Sequence, residues 1–196
     1  MASRQRRSRL LGDLCALAAG GAAVETRASQ EVHTGALMLD QQIYADVSSF
    51  RGYNELLHYQ TEFAPQFIDI TDHVVGAVHR SAVRNGMVTV FSRHTTAAIK
   101  INECEPELIK DMARFLCEIA PHDRDYCHNN FDIRTVNMEE DECPNAHAHC
   151  QHLMLSASET VPLIDGRMHL GRWQRLFLVE LDRPKARQVS VQILGM

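Results

Sequence analysis

The length of 196 residues predicts one domain with a sizeable buried core. The formal net charge of -5 at pH 7 argues against nucleic acid or an anionic membrane as the main partner, and no apolar run approaches the length of a transmembrane span. The six cysteines include no Cys-x-x-Cys pair, so we expect reduced thiols in a cytoplasmic protein and no structural zinc module.

Residues 1–37 differ in composition from the rest of the chain. They are poor in acids and rich in alanine and leucine, and their first part carries Arg4, Arg6, Arg7 and Arg9. Such a start is found both in disordered extensions and in peptides for organellar import. We therefore expect an N-terminal extension, disordered or targeting, over residues 1–37 and a single domain over residues 38–196.

Apolar spacing and turn residues predict the first elements of this domain. A strand is expected near residues 55–63. A helix should begin at Asp69–Asp72 and end at Asn85-Gly86, where the glycine would take the left-handed conformation. Two β-rich runs predict strands at Met87–Ser92 and Ala97–Asn102.

The second half contains the clearest helix and most of the remaining strands. Residues from Glu105 to Ile119 carry an apolar stripe with Pro106 in the first turn. A shorter helix is expected from Asn145 to Leu155. Four further strands are predicted at Glu159–Pro162, Arg167–Leu170, Gln174–Leu181 and Gln188–Leu194. Because helices are segregated among antiparallel-looking strands, the fold class is predicted to be α+β.

Groups able to bind metals or move protons concentrate between His122 and His152. Five of the eleven histidines lie in this stretch, together with three cysteines. In the His147-Ala148-His149 sequence, the two imidazoles would share a face of a strand but diverge by about 200° on a helix. Since a helix start is expected here, one of these two histidines, but not both, is predicted to be a ligand.

Other polar residues lie at predicted strand ends and on the long helix. His94 follows a strand and could bind an anion or act as a base, although a structural role is the alternative. Asn102 and Glu103 close the next strand and point to opposite faces unless the strand has ended. Asp111 lies near the apolar side of its helix, where a carboxylate needs a partner.

Several motifs along residues 55–196 follow one another in a recognisable order. They include His94-Thr-Thr-Ala-Ala, Ile101-Asn-Glu, Tyr126-Cys-His128-Asn129, Asn145-Ala-His-Ala-His149, Leu170-Gly-Arg-Trp173-Gln174 and Glu180-Leu-Asp. In this respect the chain resembles the YjbQ family, whose members are described as secondary thiamine-phosphate synthases. Two positions depart from the family pattern. Ser156 stands where a glycine is usual, and Arg172 replaces a threonine and could strengthen anion binding.

The resemblance implies one α+β domain with two packed, mainly antiparallel sheets, assembled as a homotrimer with sites near the subunit contacts. It implies metal ligands at His94, His128 and His149, catalytic groups at Asn102, Glu103, Asp111 and Glu180, and substrate-binding groups at Arg172, Trp173 and Gln174. Zinc or magnesium is the expected cofactor. The remaining histidines of the cluster, His122, His147 and His152, are then set aside as background.

Two hypotheses about function follow from the resemblance and these residues. In the first, the protein condenses hydroxymethylpyrimidine diphosphate with thiazole phosphate, and the metal takes up charge on the departing pyrophosphate. In the second, it is a non-catalytic trimer that binds a metal or small anion. The expected partners are the protein itself, as a homotrimer, and a small phosphorylated metabolite.

Overall fold

The computed structural model describes strand β1 (Leu39–Val47) and residues 50–196. The expectations for residues 1–37, and with them the domain boundary at residue 38, lie outside the described residues. Over the described part of the chain, no helix is both long enough and apolar enough to cross a membrane.

This part of the chain forms nine strands, three helices and one 3-10 turn. After β1, the strands are β2 (Phe50–Gln60), β3 (Gln66–Asp69), β4 (Gly86–Ser92), β5 (Ala97–Glu103), β6 (Ser158–Ile164), β7 (Arg167–Met168), β8 (Gln174–Glu180) and β9 (Ala186–Gly195). The helices are α1 (Thr71–Ser81), α2 (Pro106–Ile119) and α3 (Ala146–Leu155), and the 3-10 turn is η1 (Cys127–Asn129).

The strands build two antiparallel sheets. The large sheet has the order β1-β2-β9-β4-β6-β7, and the small sheet has the order β3-β8-β5. Each neighbouring pair in both sheets is antiparallel. The predicted α+β domain with two packed, mainly antiparallel sheets is therefore confirmed.

The main core lies between the large sheet on one side and the small sheet with α1 on the other. It combines Val191 of β9, Ile99 of β5, Leu178 of β8 and Val74 of α1, all with no solvent exposure. Along β9, buried and more exposed residues alternate because successive side chains of a strand point to opposite faces. Burial of this apolar surface is the main force that holds the two sheets together.

A second core covers the opposite face of the small sheet. There, Phe177 and Val179 of β8 pack with Leu116 of α2 and Ala148 of α3. Strand β8 is thus buried on both faces, which explains why residues 176–179 form a continuous apolar run rather than an alternating one. The small sheet is therefore the middle layer of the domain.

The end of α1 differs from the prediction. The helix stops at Ser81, and Ala82, with φ 54°, takes the left-handed conformation that was expected at Gly86. Gly86 instead opens β4, where an added Cβ would lie only 2.0 Å from the carbonyl oxygen of Leu194. The glycine is needed for close approach to β9 rather than for helix termination.

Among the other elements, the long helices and strands were predicted correctly, whereas some of the strands were not. The strand expected near residues 55–63 begins at Phe50 and ends at Gln60, and the expected Arg167–Leu170 strand contains only two residues. Neither β1 nor β3 was predicted. The four residues of β3 are too few for a periodic signal, and they are ordered by pairing with β8.

Candidate functional site

The predicted site residues fall at two opposite ends of the small sheet. In the β5–β8 pair, Ala97 lies opposite Glu180 and Glu103 lies opposite Gln174. With a rise of about 3.3 Å per residue, these two ends are roughly 20 Å apart. The chain therefore does not bring Glu180 and Trp173, both predicted site residues, into one pocket within a single subunit.

At the first end, the Glu180 carboxylate is fully enclosed by hydrogen bonds. Its Oε2 accepts from Arg187 Nε at 2.5 Å and from the Thr61 hydroxyl at 3.0 Å. Its Oε1 accepts from the backbone N–H groups of Leu181 and Asp182 at 3.1 and 2.9 Å. These bonds hold the end of β8 and the turn that follows. These contacts are those of a structural group. The catalytic role predicted for Glu180 stays a prediction.

His94 lies near this network but has its own partner. Its Nε2 accepts the backbone N–H of Gln188 on β9 at 2.7 Å. Burial, followed by the positive charge of Arg187, lowers the pKa of His94, so the ring is neutral at pH 7. While Nε2 accepts the Gln188 N–H, only Nδ1 of His94 is left to contact another group. In the neutral ring, Nδ1 carries the proton.

His128 and His149, two of the three metal ligands implied by the family resemblance, lie side by side. Their ring centroids are 4.9 Å apart and the rings meet edge to face. Asn129 positions the pair, because its Oδ1 accepts the backbone N–H of Ala146 at 3.0 Å and ties η1 to the start of α3. Burial, followed by the neighbouring His128, lowers the pKa of His149, which leaves its ring neutral and able to donate a lone pair.

A second pair is formed by His122 and His147, whose ring centroids are 4.6 Å apart. His147 is only 7% exposed, and its Nδ1 has no hydrogen-bond partner among the described residues. Burial, followed by His122, lowers the pKa of His147 to about 4. From the sequence, both residues were set aside as background. The residues between them in the chain carry no periodic signal that would have predicted their contact.

Asp182 connects the two histidine pairs, and the sequence did not single it out. It is 4% exposed and lies in the turn after β8, where its carboxylate accepts from Asn145 Nδ2 at 3.3 Å and Lys185 Nζ at 3.4 Å. The carboxylate is close enough to raise the pKa of both His147 and His149 against the lowering effect of burial. In the sequence, the feature that could have indicated Asp182 is that it follows Glu180 as a second acidic residue at the end of a predicted central strand.

The opposite end of the small sheet presents the predicted substrate-binding groups. Trp173 is 60% exposed, and the guanidinium of Arg172 lies over its ring at 4.5 Å from the centroid. The Oε1 of Gln174 accepts the backbone N–H of Gly171 at 2.7 Å, which tightens the turn before β8. The exposed Trp173 ring can stack on a planar ligand or pack against another subunit.

The three remaining predicted catalytic residues also lie at this end. The amide of Asn102 contacts the sulfur of Met112, while Glu103 is half-buried. Asp111 is exposed on α2 and forms an ion pair with Arg114. Within the described residues, none of these three groups contacts the histidine pairs.

Sequence and structure comparisons agree on the relatives of this chain. A family profile described as "UPF0047 protein YjbQ-like" matches residues 55–196. The chain belongs to the UPF0047/YjbQ family. A UPF0047 protein of Methanothermobacter thermautotrophicus is 40% identical over 143 residues, which are 73% of this chain and 92% of the relative. A UPF0047 protein of Synechocystis is 32% identical over 154 residues, 77% of this chain and 97% of the relative.

Solved structures of the YjbQ family have the same fold. A YbjQ-like protein of unknown function from Sulfolobus solfataricus has a TM-score of 0.68 at 34% identity, covering 75% of this chain and 99% of the solved one. A hypothetical protein from Aeropyrum pernix has a TM-score of 0.66 at 33% identity, covering 73% and 98%.

The donor set of this YjbQ-family chain fits a metal only in part. Within the described residues, no group of three or more His, Cys, Asp and Glu side chains is arranged to hold a metal ion. Each histidine pair nevertheless offers two imidazoles, and imidazole is a good ligand for zinc and related cations. A complete coordination sphere requires further ligands from water, from a substrate oxygen or from a neighbouring subunit.

Proposed function

We propose that this protein is a thiamine-phosphate synthase, which joins hydroxymethylpyrimidine diphosphate to thiazole phosphate and releases pyrophosphate. The observation that carries the proposal is the juxtaposition of His128 and His149, with ring centroids 4.9 Å apart, beside an open, shallow pocket of about 450 Å³. That volume is within the range of small-molecule sites. The reaction is inferred from the resemblance to the YjbQ family. The two imidazoles would bind the cation that neutralises the charged leaving group.

The lining of this cavity suits a diphosphate ester with an aromatic ring. It combines the apolar side chains of Ile133 and Val136 with polar groups of His128, Arg134 and Asn137. The Arg134 guanidinium forms an ion pair with Glu142 at 2.6 Å and donates to the Asn137 carbonyl at 2.7 Å, so its position is fixed. Apolar side chains beside a positioned cation can contact the pyrimidine while orienting a phosphate.

His128 and His149 would hold the divalent cation, zinc or magnesium, with phosphate oxygens and water as the other ligands. When bound, this cation neutralises charge that develops on pyrophosphate as the bond to the pyrimidine methylene breaks. Because the His149 ring is neutral at pH 7, it binds a cation without first losing a proton. Of these two cations, zinc is favoured by imidazole ligands, because magnesium prefers oxygen ligands.

The thiazole phosphate is assigned to the opposite end of the small sheet of a neighbouring subunit. Trp173 stacks on the thiazole ring, and Arg172 and Gln174 contact its phosphate, while Glu103 and Asp111 orient the ring. Within one chain, these groups lie at the end of the small sheet that is roughly 20 Å from Glu180, whereas His149 lies close to Asp182, just beyond Glu180. The site is therefore proposed to form between subunits of a homotrimer.

The direct test is product formation by the purified full chain. Thiamine phosphate is measured after incubation with both substrates and with zinc or magnesium, in wild type, His128→Ala and His149→Ala. His169→Ala, at an exposed histidine outside the pocket, is the matched control. Loss of product by at least about tenfold in the first two variants, but not in the control, supports the proposal. Equal product in all four proteins rules it out.

A non-catalytic trimer that binds a metal or small anion is the second candidate. It is favoured by the closed network around Glu180, which leaves this predicted catalytic acid with no solvent exposure. Calorimetric titration with zinc and with pyrophosphate separates the two candidates. Binding of either probe without any product above the His128→Ala level identifies the binding protein.

A further inference from the structure

The start of α3 contains two buried acceptor atoms that the proposed synthase site does not use. His147 Nδ1 and Asn145 Oδ1 are both buried and have no hydrogen-bond partner among the described residues. Leaving a buried polar atom unpaired destabilises the folded state, so such atoms normally have a water, ion or ligand beside them. His147 itself is 93% buried, as its exposure is 7%.

His122 faces His147 at a separation suited to metal binding. An imidazole nitrogen binds zinc at about 2.0–2.1 Å, so two imidazoles on one cation have ring centroids about 4.5–5.2 Å apart. The His122–His147 separation of 4.6 Å lies inside that interval. The half-buried position of His122 gives a cation a path from solvent to the enclosed His147 ring.

We propose that His122 and His147 form a second cation site, for zinc or a similar imidazole-binding metal, separate from the site of His128 and His149. His147 and His149 are two residues apart on α3, so their side chains diverge by about 200° and serve different sites. The second site requires no synthase activity and stands on its own geometry.

The charges around this second site select the class of cation. The Asp182 carboxylate influences His147, and it is already paired with Lys185 at 3.4 Å and Arg183 at 3.8 Å. A hard cation such as magnesium needs oxygen ligands that are not committed in this way. Imidazole ligands, with the Asn145 amide oxygen nearby in sequence, suit zinc, copper, nickel or cobalt instead.

The test counts cobalt and zinc sites in the full chain after removal of metals with a chelator. Calorimetry gives the stoichiometry, and the visible spectrum of cobalt reports imidazole ligation. We expect two sites per chain in the wild type, and one site in His122→Ala, whose half-buried position lets the variant fold. His128→Ala is expected to lose the other site, and the His122→Ala/His128→Ala double variant is expected to lose both.

His169→Ala serves as the control for weak surface binding and should keep two sites. The inference is overturned if His122→Ala binds as many cations as the wild type, or if the wild type binds a single cation that depends only on His128. In those cases the His147 nitrogen is satisfied by water or by the His122 N–H. Because only cation binding is measured, absence of synthase activity does not affect this outcome.

Discussion

The Arg187 Nε lies 2.5 Å from the Glu180 carboxylate, and the two side chains are 4% and 0% exposed. This buried ion pair joins the end of β8 to the start of β9, so it links the small sheet to the large one. A second nitrogen of Arg187 also donates to the Thr96 hydroxyl at 3.1 Å, which adds the turn before β5 to the same network.

Arg187→Ala is predicted to lower the free energy of unfolding by about 3–5 kcal/mol, because it leaves the buried Glu180 charge without its main partner. Urea denaturation followed by circular dichroism measures this loss. Arg84→Ala is the matched control, since its ion pair with Asp165 is 70% and 78% exposed and should contribute less than about 1 kcal/mol. If the free energy of unfolding falls no more in Arg187→Ala than in the control, the buried ion pair does not stabilise the fold as predicted.

The stability of the metal-free protein is predicted to fall as the pH is lowered between the unfolded and the folded pKa of His147. Its folded pKa of about 4 is below the ordinary value of 6.5, so the folded state binds fewer protons than the unfolded state between these values. Folding therefore gains stability above pH 6.5 and loses it progressively down to pH 4, by up to about 3 kcal/mol.

His147→Gln isolates this contribution, because glutamine is polar but does not titrate. The difference in unfolding free energy between wild type and variant should shrink as the pH falls from 7 to 4, whereas other titrating groups affect both proteins. Urea denaturation at a series of pH values in the presence of a chelator gives this difference. A difference that stays constant with pH would mean that His147 titrates normally in the folded protein.

Asn129→Ala is predicted to weaken cation binding at His128 and His149 by about 10–100-fold, although Asn129 is not itself a proposed ligand. Its side chain ties η1 to α3 through the Ala146 N–H at 3.0 Å, and without this bond the two rings lose their fixed separation. Cobalt titration measures the affinity. Asn130→Ala removes a similar bond to Asp132 within the loop and should leave the affinity unchanged.

The sequence was a good guide wherever a periodic pattern and a chemical signal coincided. Helix α2 begins at Pro106 as expected, and Glu105 caps it by accepting the N–H groups of Glu107 and Leu108 at 2.9 and 2.7 Å. The continuous apolar run of β8 predicted a central strand, and that strand is buried on both faces. His128 and His149 were both named as ligands from the family motifs, and their rings lie 4.9 Å apart, but their role as metal ligands stays a prediction.

Contacts that depend on the path of an irregular loop could not be predicted. His122 and His147 meet only because the segment between α2 and α3 folds back on itself, and no local pattern determines that path. The separation of Glu180 from Trp173, in contrast, was already implied by the predicted strand at Gln174–Leu181, because an extended strand of that length holds its two ends roughly 20 Å apart.

That separation predicts complementation between two inactive variants. His149→Ala subunits keep an intact Trp173 end, and Trp173→Ala subunits keep an intact histidine end. If each site forms between two copies, equal mixing with subunit exchange makes about a quarter of the sites intact, so synthase activity should return to about a quarter of the wild-type value. Analytical ultracentrifugation of each variant verifies the trimer. A mixture no more active than its components, in spite of exchange, places the whole site within one chain.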